Sequence, residues 1–398
     1  MCVELPMPFM FEKPLGMRDS LPLLYERKKN LRLAVSGEFE AWGYQFIETP
    51  ALEYYETIGE ASSIQNQQMF KLLDQQGDTV VLRPDMTAPI ARVAASKLLK
   101  QQVPVRLAYS ANVYRAQQKE GGRAAEFEQI GIETIGDGTI SADSEIISLL
   151  ISSLKKAGFT KFQISIGHIG FIQQLMLDIL GREDRVSQLS NYLIERNYVG
   201  YRDHINSLAL ANIDKQRLID ILDLKGTENI LEKAGALLEH NRGAEKLNEL
   251  AQLMQQLKEY GAEQYVSLDL TLMNTISYYS GIVFEVYAEG VNFPVGNGGR
   301  YNSLLKKFGR DTPATGFALR VDRLIEAMGT LKDQAEIECV IFTPERKQDA
   351  LKLVNERRAG GSRIAMQDLN GIGDLDSFTK NYSEVHYFIG APGKDETP

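Results

Sequence analysis

A chain of 398 residues is long enough for two or three domains, each with a core of its own, and a composition 43% apolar and 24% charged is that of an ordinary globular protein. No apolar run approaches the roughly 20 residues that span a bilayer, and the opening Met1 to Met7 has a glutamate and a proline but no basic region of a secretory signal. The formal net charge of -9 argues against a general polyanion-binding surface, so membranes and nucleic acid are both disfavoured and a cytoplasmic location is expected.

The two cysteines, Cys2 and Cys339, lie far apart and form no metal-ligand spacing. Four isolated histidines, His168, His204, His240 and His386, read as packing or surface residues rather than ligands. Neither a metal nor a cofactor is expected.

The first helix is marked by Leu24, Leu31, Val35, Phe39 and Trp42, spaced along one face, and Gly43 ends it. Tyr44 to Pro50 then alternates as a strand whose proline cannot donate to a ladder, so the strand should stop at a sheet edge or an interface. Thr79 to Arg83 reads as another strand, leading through Pro84-Asp85-Met86-Thr87 into a helix marked by Ile90, Val93, Ala94 and Leu98. At that junction Asp85 and Thr87 can either cap the helix or face a ligand.

In Phe127 to Ile135 the period of two puts Phe127, Gln129, Gly131, Glu133 and Ile135 on one face, with Glu128, Ile130, Ile132 and Thr134 on the other. An amide and a carboxylate thus share a face, and the glycine between them leaves room for a ligand against the strand. Period alone would make this a solvated face. Tyr114-Arg115 and the polar segment Gln117 to Arg123, read as a hairpin loop carrying cations over the same sheet, favour the ligand.

From about Phe171 to Gly261 the pattern is helical, with Leu and Met stripes at three and four residues that read as a private core. From about Glu336 a small βαβαβ unit begins: strands at Cys339 to Thr343, Arg363 to Met366 and Val385 to Ile389, with a helix over Arg346 to Arg358.

Eight short strings occur in one order: Gly16-Met17-Arg18-Asp19; Gly43-Tyr44 through Pro50; Leu82 through Thr87; Tyr114-Arg115; Phe127 through Glu133; Tyr278-Tyr279; Gly298-Gly299-Arg300-Tyr301; and Pro313 through Leu324. Singly each is weak, but in this order they resemble the class II catalytic core of histidyl-tRNA synthetase over about Phe11 to Thr330. The resemblance implies an α+β fold: an antiparallel sheet flanked by helices across 1–330, a helical insertion at 171–261, and a small C-terminal α/β unit at 336–398. It also implies a dimer formed through the segment ending at Pro50, and a histidine pocket. By matching positions, Asp85 and Thr87 would meet the ammonium, Arg115 and Gln129 the carboxylate region, and Glu133 with the Tyr278-Tyr279 pair, Tyr279 in particular, the imidazole. An acid and a phenol can fix an imidazole and its tautomer by hydrogen bonds.

The departures are as informative. That family carries an arginine four residues before the Tyr-Tyr pair, where this chain has Asn274. Its glutamate and arginine after the second signature's arginine correspond to Gln117 and Gln118, and a small glycine beside the nucleotide corresponds to Arg320. With Arg323 these residues make up a degenerate nucleotide site. Activation of a carboxylate by ATP needs cations placed on the phosphates before reaction, and loss of one such group typically costs about 100- to 1000-fold. Alone, Asn274 could be compensated by a neighbour; four concordant changes point to lost synthetase chemistry beside retained histidine contacts.

This combination resembles the regulatory subunits of ATP phosphoribosyltransferase, which implies a short-form catalytic subunit as partner and histidine as effector of the hetero-oligomer. The alternatives are a divergent, active histidyl-tRNA synthetase and a stand-alone histidine sensor. A synthetase would carry an anticodon-binding domain of about a hundred residues with basic surface. The unit here spans about sixty, so tRNA is not expected as a partner.

Overall fold

The computed structural model describes residues 12–59, 61–100, 103–116, 124–227, 229–239, 242–273, 278–329 and 337–390. They divide between two compact units, Met1–Thr330 and Leu331–Pro398.

The larger unit opens with α1 (Pro22–Ala41), which buries Leu31, Val35 and Phe39. Gly43, at φ +82, closes it: its N–H donates to the Glu40 carbonyl (3.0 Å) and that of Tyr44 to the Phe39 carbonyl (3.1 Å), a Schellman ending that needs a left-handed residue. Strand β1 (Gln45–Phe46) is shorter than the expected Tyr44 to Pro50 run. Beyond it the Thr49 carbonyl accepts from the Arg83 guanidinium at 2.6 Å and not from a neighbouring strand. The short strand does lie at a sheet edge.

Next come β2 (Leu52–Tyr54), β3 (Lys71–Leu73), β4 (Thr79–Leu82), α2 (Thr87–Val93), the ten-residue strands β5 (Val105–Tyr114) and β6 (Glu126–Ile135), α3 (Ile140–Lys156) and β7 (Phe162–His168). The insertion supplies α4 (Ile169–Leu180), α5 (Glu183–Ile194), α6 (Tyr198–Ser207), α7 (Asn212–Asp220), β8 (Lys225–Gly226), α8 (Ile230–Ala236) and α9 (Ala244–Glu259). After it, β9 (Val266–Asp269), β10 (Ile282–Ala288), β11 (Gly296–Arg300), β12 (Ala314–Arg320) and α10 (Val321–Ala327) complete the unit.

Nine strands form one sheet in the order β1-β5-β6-β12-β11-β10-β7-β9-β8, and β2-β4-β3 form a separate small sheet. The run from β5 to β7 is antiparallel throughout. The expected antiparallel sheet is nevertheless mixed at its margins, because β1 pairs parallel to β5 and β9 parallel to β7.

The alternation along β6 separates two cores. Ile130 and Ile132 belong to the larger cluster, with α1, α3 and the insertion helices; Phe127 and Ile135 belong to the smaller one, with α2, Tyr109 and Tyr301. The insertion's core is therefore not private: Leu247, Leu250, Leu253 and Leu257 of α9 are continuous with Ile146 and Leu150 of α3 and with sheet residues. The Ser144 hydroxyl also donates to Gln256 at 2.8 Å, tying α3 to α9. Apolar spacing shows which face of a helix is buried, not what buries it.

His168 proves to be a packing residue. It is 1% exposed, its Nδ1 accepts the Phe171 N–H at 3.2 Å to cap α4, and its Nε2 lies 3.0 Å from Glu249 of α9. No helix among the described residues is long and apolar enough to cross a membrane.

In the smaller unit β13 (Glu338–Phe342), α11 (Lys347–Ala359), β14 (Ile364–Asp368), α12 (Leu375–Thr379) and β15 (Glu384–Phe388) make a parallel sheet of order β14-β13-β15. Val340, Phe342, Ala350, Val354 and Ile364 form its core. Cys339 is a buried free thiol; Cys2 lies outside the described residues.

Candidate functional site

Three elements converge on one cavity in the larger unit. Strand β6 presents Gln129 and Glu133, 6% and 2% exposed, on the face the period of two assigned to them. The junction of β4 and α2 brings Asp85 and Thr87, and the end of β5 brings Arg115. These five, with Tyr278 and Tyr279, all border a cavity of about 140 Å³. Every residue the sequence suggested for histidine is thus gathered in one place.

Glu133 is the centre of the arrangement. The Thr87 hydroxyl donates to its Oε1 at 2.7 Å, and the Tyr301 hydroxyl donates to its Oε2. Burial pushes this carboxyl up to about 8, against smaller opposing effects of those two hydrogen bonds and a further upward push from the Asp85 charge. It therefore keeps its proton at neutral pH until a nearby cation draws it back toward ionisation. Such a group can either give a proton to an imidazole or take one from it.

Asp85 caps the helix and also borders the cavity. Its Oδ1 accepts the Ala88 N–H at 3.0 Å in the first turn of α2, and its Oδ2 accepts the Ser62 hydroxyl. Tyr278 stands edge-on to both Tyr279 and Tyr301, at 5.4 and 5.7 Å between ring centres. Tyr279 accepts from Asn297 Nδ2 at 3.5 Å, so its neighbour in the site is that amide. Burial raises both phenols above their ordinary range.

At the other end lie the arginines. Arg115 donates through Nε to the Pro84 carbonyl at 2.9 Å, and its guanidinium is 5.2 Å from the Phe127 ring centre. Burial lowers its affinity for its proton. Arg320 covers the same ring at 3.7 Å and is clamped by Asp322 through Nε to Oδ1 (3.1 Å) and Nη2 to Oδ2 (2.7 Å). Arg323 stacks on Phe293 at 4.7 Å. Both of the latter arginines border this cavity and an adjoining one of about 760 Å³. Of the other residues assigned to the degenerate nucleotide site, Gln117, Gln118 and Asn274 lie outside the described residues, as does the proposed loop Gln117 to Arg123.

The expectation for Gly131 is overturned. A Cβ there would come within 2.2 Å of the Phe317 carbonyl and 2.6 Å of the Tyr109 hydroxyl. The absent side chain makes room for Tyr109, its partner across β5 and β6, and not for a ligand. Gly316 borders the cavity and stands opposite Glu133 in register. A Cβ at Gly316 would lie 2.1 Å from Glu133 Oε2.

Tyr301, Asn297 and Glu285 also border the cavity and were not foreseen. Tyr301 ends a string singled out in the sequence, but its partner Glu133 is 168 positions away, beyond the reach of any local pattern. Among the described residues one group has metal-ligand proximity, Glu338, Glu384 and His386 of the smaller unit. His386 is 3.2 Å from Glu338 and Arg357 is 3.6 Å from it, which makes this a surface ion-pair cluster.

Comparison with known proteins agrees with this fold. The family model described as "Histidyl-tRNA synthetase" matches residues 16–324, and that described as "Histidyl-tRNA synthetase HisZ, C-terminal domain" matches residues 339–390. The ATP phosphoribosyltransferase regulatory subunit of Geobacillus thermodenitrificans (strain NG80-2) is 56% identical over 97% of this chain and 98% of its own length. That of Bacillus subtilis (strain 168) is 52% identical over 98% and 99% respectively. A crystal structure described as an ATP phosphoribosyltransferase regulatory subunit/histidyl-tRNA synthetase from Bacillus halodurans superposes with a TM-score of 0.90 at 50% identity, covering 96% of this chain and all of that one. Histidyl-tRNA synthetase from Nostoc sp. PCC 7120 shares the fold at a TM-score of 0.78 and 19% identity, over 93% of this chain and 88% of its own. The chain belongs to the family of ATP phosphoribosyltransferase regulatory subunits, built on the class II histidyl-tRNA synthetase fold.

Proposed function

We propose that this chain has no catalytic centre of its own, and that it assembles in the cytoplasm with a short-form ATP phosphoribosyltransferase catalytic subunit and confers histidine feedback on the first step of histidine biosynthesis. The observation that carries this reading is the polarity of the cavity. A buried, hydrogen-bonded Glu133, the Asp85 carboxylate and the Arg115 guanidinium all border it, which suits a zwitterion bearing an imidazole. Family membership supports the identity of the partner. Loss of synthetase chemistry is supported by Asn274 and Gln118, neutral where the family has arginines for the phosphates, and by Gln117 in place of its glutamate.

In this reading histidine binds more tightly to the inhibited state of the hetero-oligomer than to the active one. Coupling of that kind typically amounts to about 1–3 kcal/mol. Self-association through the segment ending at Pro50 is part of the proposal. It is supported by the edge position of β1 and by exposed Phe46, Leu52 and Tyr54 nearby, and light scattering of the purified chain tests it.

The test of function is to mix the chain with a short-form ATP phosphoribosyltransferase and assay with and without histidine. Activation on mixing and inhibition by histidine are expected. Glu133→Gln should weaken that inhibition while the complex still forms; unchanged inhibition would place histidine sensing elsewhere. Histidine-dependent ATP–pyrophosphate exchange by the chain alone would refute the non-catalytic reading.

A further inference from the structure

Given the proposed histidine cavity, we propose that Arg320 makes this site require a carboxylate on its ligand, with Asp322 as the residue that positions it. Register sets the frame. Glu133 stands opposite Gly316, and Gln129 opposite Arg320, so Arg320 leaves the sheet four residues along from the carboxyl that would meet the imidazole, a distance of about 13 Å along the strand. The guanidinium arm returns over Phe127 and lines the cavity, closing the end opposite Glu133.

Two cations meet at that end. The guanidinium groups of Arg115 and Arg320 both rest on the one Phe127 ring, at 5.2 and 3.7 Å from its centre. Both residues are half-buried; like charges gathered on one ring repel one another, and an anion within reach of both offsets the repulsion. Consistent with this, the Arg320 charge adds to burial in lowering the proton affinity of Arg115, while Asp85 opposes it.

The clamp leaves Arg320 able to bind. Asp322 engages Nε and Nη2, so the Nη1 edge of the five-donor fork lies outside the clamp. Asp322 lies in the first turn of α10, where a carboxylate is stabilised by the helix dipole. Held this way, the guanidinium loses little side-chain freedom when a carboxylate arrives.

The test is calorimetric titration of the full chain with L-histidine and with L-histidinol, which keeps the imidazole and ammonium but has an alcohol in place of the carboxylate. Wild type should bind histidine about 10- to 100-fold more tightly than histidinol, the difference expected of a charge-assisted hydrogen bond. Arg320→Met should weaken histidine by that factor and leave histidinol within about two-fold, so that the two ligands converge. Asp322→Asn should fall between, and Arg320→Lys, which keeps the charge without the fork, should recover part of the preference.

An Arg320→Met chain that retains the wild-type preference, or loses affinity for both ligands equally, overturns the assignment. If that variant fails to show a cooperative melt by Trp42 fluorescence, the Lys and Asn variants decide by the same criterion. Wild-type chain that binds neither ligand refutes the histidine reading of the cavity and this inference with it; wild type that binds histidine and histidinol equally refutes this inference alone.

Discussion

Replacing Glu133 by glutamine should remove a specific pH dependence of stability. Gln keeps the shape and both hydrogen bonds, accepting one hydroxyl through its oxygen and donating to the other, which turns to accept. What it lacks is the proton. In the fold the carboxyl titrates near 8, raised mainly by burial from an ordinary 4.5. Below the lower value both states of the chain are protonated and Glu133 is neutral. Between the two values the unfolded chain has lost its proton and the folded chain has not, so each rise in pH favours unfolding, by about 1.4 kcal/mol per pH unit. Above the higher value the loss is complete, on the order of 5 kcal/mol.

The assay is urea unfolding of wild type and Glu133→Gln between pH 5 and 9, followed by Trp42. This is the only tryptophan; it lies at the end of α1, with Nε1 donating to Glu38 at 3.0 Å, so it reports the larger unit. Other titrating groups are common to both proteins and cancel in the difference. The variant should gain stability over wild type steadily up to about pH 8 and then hold level. A difference that does not change with pH would refute the reasoning, because it would mean that Glu133 is ionised in the fold as readily as in water.

Three further outcomes are expected. Tyr301→Phe removes a hydrogen bond that lowers the Glu133 proton affinity, so the midpoint of the same pH-difference curve should move to higher pH. Gly316→Ala places a methyl 2.1 Å from Glu133 Oε2 and 2.3 Å from the Ile132 carbonyl; it should cost at least about 1–3 kcal/mol in urea unfolding and abolish calorimetric histidine binding. Arg300→Met leaves Asp143, 1% exposed, without the guanidinium that lies 2.9 Å from it. Breaking such a buried pair typically costs about 3–5 kcal/mol, readable as a lowered thermal midpoint, and a melt unchanged within error would contradict it.

Much of the site was legible because its residues sit at positions that local rules govern. Alternation along β6 placed Gln129 and Glu133 on one face and Ile130 and Ile132 on the other, since side chains of a strand must alternate. The junction after β4 placed Asp85 where a helix begins, and Gly43 ended α1 for want of any other residue that adopts its φ at low cost. The resemblance then named a ligand for these residues, which composition and spacing could not.

Other features depended on pairs distant in sequence. Nothing in the neighbourhood of Gly131 shows whether a ligand or a tyrosine fills the space above it; the pairing of β5 with β6 gives it to Tyr109. The α9 stripe marks a buried face, but only packing against α3 makes it part of the main core. The sheet was expected to be antiparallel, yet the short edge contacts of β1 and β9 run parallel, a choice made by chain connectivity and not by strand composition. By itself the sequence determined which residues face inward and which chemistry they bring. Tertiary structure decided that Tyr301 and Thr87 share Glu133 and that Arg320 rests on Phe127 under the hold of Asp322, because such contacts exist only once strands far apart in the chain lie side by side.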